Sequence, residues 1–163
     1  MQLDAVIMMS KYSFEEDVIM SKAELAKTQL EDAIDLFLSG KRISVITLAG
    51  AAEEIFSRLL NIKKENSASE ETWENIELIR NKTGLPYAGV RTKSDAFREW
   101  NQFKNALKHH SGKDEDPIEF SPFDAAYEMI NRANINADKL GIIARNRQEY
   151  ESWLIENIYT SKI

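Results

Sequence analysis

Ile43-Ser44-Val45-Ile46-Thr47-Leu48-Ala49-Gly50-Ala51-Ala52-Glu53-Glu54-Ile55-Phe56-Ser57-Arg58-Leu59-Leu60 is the most apolar stretch of the chain and decides its fold class. Ile43, Val45, Ile46, Leu48, Ala49, Ala51, Ala52, Ile55, Phe56, Leu59 and Leu60 leave few polar positions, and a helix apolar nearly all round belongs at the centre of a bundle. Ala49, Gly50, Ala51 and Ala52 are small enough to let a neighbouring helix approach closely. Gly50 costs about 1 kcal/mol of helix stability relative to alanine, so close packing or a kink is expected to offset it. Glu53 and Glu54 interrupt the apolar run, and both are expected on whatever edge of the helix reaches solvent.

The flanking segments repeat the helical pattern. Upstream, Ser21-Lys22-Ala23-Glu24 has the form of a capping box, in which serine and glutamate satisfy each other's backbone donors. Leu30, Ala33, Ile34, Phe37 and Leu38 then form one apolar stripe, and Gly40 supplies a left-handed stop, which predicts a helix over 22–39. Downstream, Ser67-Ala68-Ser69-Glu70 offers a second cap, followed by Trp73, Ile76 and Ile79 and a stop near Thr83-Gly84-Leu85-Pro86. A loop through Pro86 and Gly89 leads to Thr92 or Ser94 as the cap of a helix over 95–109. Ser121-Pro122-Phe123-Asp124 opens another, with serine at the cap, proline in the first turn and an acid near the positive end of the dipole. A final helix over 144–159 places Tyr150, Trp153, Leu154 and Ile158 on one side. An all-α, antiparallel bundle of five or six helices follows, as one domain over 1–163 with 1–20 as an N-terminal extension and 21–160 as the bundle.

Composition narrows the chemistry. The 163 residues carry a net charge of −6 and no cysteine, which excludes disulfides, thiolate nucleophiles and cysteine-ligated zinc. No apolar run approaches the roughly 20 residues that span a bilayer, and Met1 to Asp17 has no basic stretch ahead of Ala5-Val6-Ile7-Met8-Met9, so a cytoplasmic protein with no membrane partner is expected. The charge is uneven: the segment 91–113 is +4 and the remainder −10. A basic strip on an acidic body can hold an anion locally, although Asp114-Glu115-Asp116 follows at once.

Both histidines, His109 and His110, fall where that basic segment leaves its helix. Ala96, Trp100, Phe103 and Leu107 form the core side. Arg98, Gln102, Asn105 and His109 form a polar seam opposite, rich in groups that both donate and accept. His110 lies nearer the core edge, as a helix-end residue. Adjacent helical residues diverge by about 100°, so His109 and His110 with Asp114 and Asp116 do not make a metal site, and no cofactor is expected.

Lys104-Asn105-Ala106-Leu107-Lys108-His109 resembles the signature of the HEPN superfamily, small helical bundles found in bacteria, archaea and eukaryotes. That signature is an arginine, a polar residue that is often asparagine, several variable positions and a histidine. Thr47-Leu48-Ala49-Gly50-Ala51-Ala52-Glu53-Glu54-Ile55 is similar to an uncharacterised bacterial family with an Asn-x-x-Lys-His segment downstream, and the resemblance extends over Ser21 to Asn136. It implies a dimer in which two such helices line one cleft. Many members are metal-independent RNases of toxin or phage-defence systems, and others are inactive partners of nucleotidyltransferases. Asn105 and His109 match the signature, whereas Lys104 stands where arginine should be and offers a point charge in place of a planar fork. As an RNase, His109 would act as general acid or base, Asn105 would orient it or the phosphate, Lys104 or Lys108 would stabilise developing charge, and Arg98, Gln102 and Lys108 would contact phosphate or RNA. The chain is expected to be a bacterial, homodimeric or helix-partnering interaction module without catalysis of its own, with aromatic packing from Trp73, Trp100 and Trp153. RNA is a possible partner, and a His109 ribonuclease is the alternative.

Overall fold

The computed structural model describes residues 17–85, 92–109 and 117–160. Every regular element among them is helical: α1 (Lys22–Leu38), α2 (Arg42–Ile62), α3 (Ala68–Thr83), α4 (Lys93–Trp100), α5 (Gln102–Ala106), α6 (Pro122–Lys139) and α7 (Arg147–Leu154), the last continued by a π-helical turn, Ile155–Tyr159. The all-α expectation holds. The count exceeds six because the helix expected over 95–109 is interrupted at Asn101. The last helix begins later than expected, at Arg147, and loosens into the π turn. His110, the acids Asp114 and Asp116, the loop residues Pro86 and Gly89, and residues 1–16 of the expected extension lie outside the described residues.

Local chemistry sets the helix ends. Ser21 Oγ accepts from the Glu24 N–H at 3.1 Å while the Ser21 N–H donates to Glu24 Oε2 at 2.7 Å, completing the expected box. That backbone donor holds the Glu24 carboxyl below its ordinary pKa. At the other end Gly40 takes φ 79°, and the Gly40 and Lys41 N–H groups return to Phe37 and Leu36 carbonyls. Ser67, Thr92 and Ser121 cap α3, α4 and α6.

α2 packs against both α1 and α6, the central place its apolar circumference requires. Leu30, Ile34 and Phe37 meet Val45, Ile46, Ala49, Ala52 and Phe56, with Ala126, Met129, Ile130 and Ala133 closing the third side. α7 returns onto α1, where the Phe37 ring meets Tyr150 and Trp153 edge to face at 5.1 and 5.3 Å. The Arg42 guanidinium covers the same ring at 3.7 Å. Asn146 anchors the start of α7 by donating to Asp35 Oδ1 and the Glu31 carbonyl. Of the other tryptophans, Trp100 packs on Phe97 and Trp73 lies beneath Arg80. No described helix is long and apolar enough to cross a membrane.

The close approach expected at the small residues of α2 is made by α5, and by one side chain. A Cβ on Gly50 would lie 2.5 Å from Cδ and 2.8 Å from Cγ of Lys104. Glycine is therefore required by the lysine stem, which offsets the helix propensity it forfeits. Gly50→Ala is expected to lower stability by about 1–2 kcal/mol in urea denaturation, because displacing a packed stem outweighs the propensity gain of about 1 kcal/mol. A gain in stability would show that the stem moves freely.

Candidate functional site

The histidine-bearing segment folds differently from a single helix. Thr92 caps α4, and Arg98 closes an exposed ion pair on Asp95 at 2.7 Å. At Asn101 the backbone leaves α4 with φ −106° and ψ 2°, while Asn101 Nδ2 donates to the Phe97 carbonyl at 2.8 Å. The same carbonyl keeps its backbone bond from the Asn101 N–H at 3.1 Å, so the side chain shares that acceptor with the ladder. After α5 the chain leaves the helix at Leu107, and the His109 N–H donates to the Asn105 carbonyl at 3.1 Å. Arg98 thus lies on one side of the break, with Gln102, Asn105 and His109 on the other. All four are exposed, but they no longer share one straight helical face.

Lys104 goes inward and is the buried residue of α5. Its Nζ lies 3.4 Å from Glu53 Oε2 and 4.0 Å from Glu54 Oε2. Glu53 is only 4% exposed, so its expected place on a solvent edge is corrected, whereas Glu54 is half-exposed and bonds Arg58. The physical reason is pairing. Glu53 Oε1 also accepts from Arg132 Nη2 at 3.1 Å, and two cations offset the desolvation of one carboxylate. Arg132 is held in turn by the Trp100 carbonyl and Asn101 Oδ1. Asn136 extends the network, accepting from the Ala68 N–H at 2.7 Å and donating to the Glu53 carbonyl at 3.5 Å.

This network floors a cleft of about 310 Å³ between α2, α3, α4, α5 and α6. Of the expected site residues it takes Lys104 and Asn105; His109, Arg98 and Gln102 are not among its walls. Lys108 instead borders a neighbouring groove on α2. Sequence reading missed Arg132, Asn136 and Ser69. Glu128, Arg132 and Asn136 recur every four residues on α6, and that polar line was the available signal. Among the described residues no three acidic or histidine side chains converge to hold a metal.

The carboxyl of Glu128, 3.8 Å from Arg132, is raised above its ordinary pKa. Desolvation against the bundle dominates although half the side chain faces solvent; Arg132 opposes the shift and Glu53 adds to it. A raised carboxylate pKa means the folded state binds its proton more tightly, so ionised Glu128 opposes folding. Glu128→Gln is expected to be more stable than the parent at neutral pH. That advantage should shrink as pH falls through the raised pKa and vanish below the ordinary glutamate value. An advantage independent of pH would place the effect elsewhere. Glu53→Ala leaves Lys104 and Arg132 facing each other and should cost about 3–5 kcal/mol in urea denaturation, and replacing the whole triad by Glu53→Met/Lys104→Met/Arg132→Met should recover a large part of it. A cost under about 1 kcal/mol would show that the charges are solvated rather than paired.

Comparison with family models, with characterised proteins and with solved structures finds no match to this chain.

Proposed function

We propose that the chain is a helical interaction module that self-associates and has no catalysis of its own. One observation carries this reading: α2 presents a largely apolar groove of about 430 Å³ lined by Ala51, Ile55, Leu59 and Ile62, with the Glu54–Arg58 ion pair on one wall and Lys22 and Lys108 on its rim. Ile62 is 78% exposed at the groove's end. Neither rim lysine makes an ion pair among the described residues. The complementary surface is on the chain itself. Glu71, Glu74, Asn75, Leu78 and Ile79 fall at i, i+3, i+4, i+7 and i+8 of α3, and all five are exposed. An acidic stripe ending in Leu78 and Ile79 suits a basic-rimmed apolar groove on a second copy, whose lysines would join Lys139 on Glu71 and Asn66 on Glu74, and a reciprocal exchange would close a two-fold dimer.

The proposal also takes the chain as a silent relative of HEPN-like bacterial, cytoplasmic proteins. The ammonium of Lys104, which that comparison would direct to phosphate, faces Glu53. His109 stands exposed, outside the cleft.

Sedimentation across a concentration series should give a reversible dimer that Ile62→Glu or Ile79→Glu reduces to monomer and His109→Ala leaves intact. A monomer at every concentration, or a dimer indifferent to both glutamates, would overturn the proposed surface. Cleavage of mixed RNA in EDTA that is lost in His109→Ala would instead establish the ribonuclease reading.

A further inference from the structure

The cleft above Glu53 is more than the seat of an ion-pair network, because several of its donors have nothing to bind. Ser69 is 4% exposed and its Oγ has no hydrogen-bond partner among the described residues. It is the second residue of α3, so its N–H belongs to the first turn, where helical backbone donors have no partner within the helix and the dipole is positive. Arg132 uses both terminal nitrogens, yet its Nε is buried without a partner. Lys104 has three donors but one long hydrogen bond, at 3.4 Å. Buried donors of this kind are costly unless something accepts from them.

The walls define what that acceptor is. Counted over the walls alone, Arg58, Lys104 and Arg132 against Glu53 and Glu54 leave one positive charge in excess, with Glu128, 3.8 Å from Arg132, standing outside the walls. A single negative charge balances that excess, whereas a doubly charged phosphate would exceed it and confront Glu53. Phe97, half-buried, supplies an apolar flank on the same cleft. The volume of about 310 Å³ lies at the small end of the range of roughly 300–1,000 Å³ that holds small molecules.

We infer that this cleft binds a small monocarboxylate with an apolar or aromatic body, its carboxylate at the α3 N-terminus accepting from Ser69 and Arg132 and flanked by Lys104, and its body against Phe97. The site lies on one chain, but Glu54 and Arg58 border both it and the α2 groove, so it is tested on the Ile62→Glu chain as well as on the parent.

The test is a titration of the full chain with benzoate, followed by amide chemical shifts in nitrogen–proton correlation spectra, with benzamide and inorganic phosphate as parallel probes. Benzoate should shift the Ser69, Phe97 and Asn101 amides saturably, and benzamide should not. Ser69→Ala should fold normally, since it removes a hydroxyl without a partner, and should weaken benzoate about fivefold, the worth of one hydrogen bond. Arg132→Lys, which keeps the charge but loses Nε–H, should weaken it comparably. The Ile62→Glu chain should bind as the parent does, which separates failure of this site from failure of the proposed dimer. Absence of saturable shifts with benzoate, equal binding of benzamide, preference for phosphate, or a Ser69→Ala chain that binds unchanged would each overturn the inference.

Discussion

Burying a carboxylate in a helical bundle is unfavourable unless cations accompany it, and Glu53 brings two of them to one point. Much of the arrangement beyond the apolar core follows from that requirement. Lys104 can reach Glu53 only by laying its stem across α2, which demands the missing Cβ at Gly50. Arg132 can reach it only from α6, and in doing so it also binds the Trp100 carbonyl and Asn101, fixing the end of α4. Asn136, one turn further on, ties the Glu53 backbone to the first turn of α3. One acidic side chain thereby ties α5 and the end of α4 onto the packed pair α2 and α6.

The two ends of the bundle are held by different physics. At the end formed by α1, α6 and α7, Phe37, Phe123, Tyr150 and Trp153 pack ring against ring, with Arg42 laid over them. Dispersion and area burial dominate there. Toward α3, α4 and α5 the contacts are polar and leave a cleft with unmatched donors. An unmatched polar end beside a well-packed apolar one is where a fold of this kind can bind something without sacrificing its stability.

Much of the architecture was legible from spacing and caps. Ser21 with Glu24, the stripe from Leu30 to Phe37, the stop at Gly40 and the cap at Ser121 are all local patterns, and each recurs in the folded chain. The candidate site was only partly legible. Asn105 and His109 are exposed as a polar seam implies, but the wheel that joined them to Arg98 assumed one unbroken helix. The break falls at Asn101, whose side chain binds the Phe97 carbonyl and whose oxygen accepts from Arg132. The Glu53 placement failed for a related reason: on a helix apolar nearly all round, a solvent edge is the economical guess unless a distant cation is known.

The sequence by itself determined where helices start and stop and which of them is central, since capping and the i, i+3, i+4 spacing act within a few residues. Tertiary structure decided which way Lys104 points, that Glu53 is buried, and that Ser69 faces a cleft. Those outcomes depend on partners 51 and 79 residues apart in the chain, as for Glu53 with Lys104 and with Arg132. A five-residue helix such as α5 has too little apolar face to fix its own rotation. Its orientation is set by the charge it must meet across the bundle, and that charge is not its neighbour in sequence.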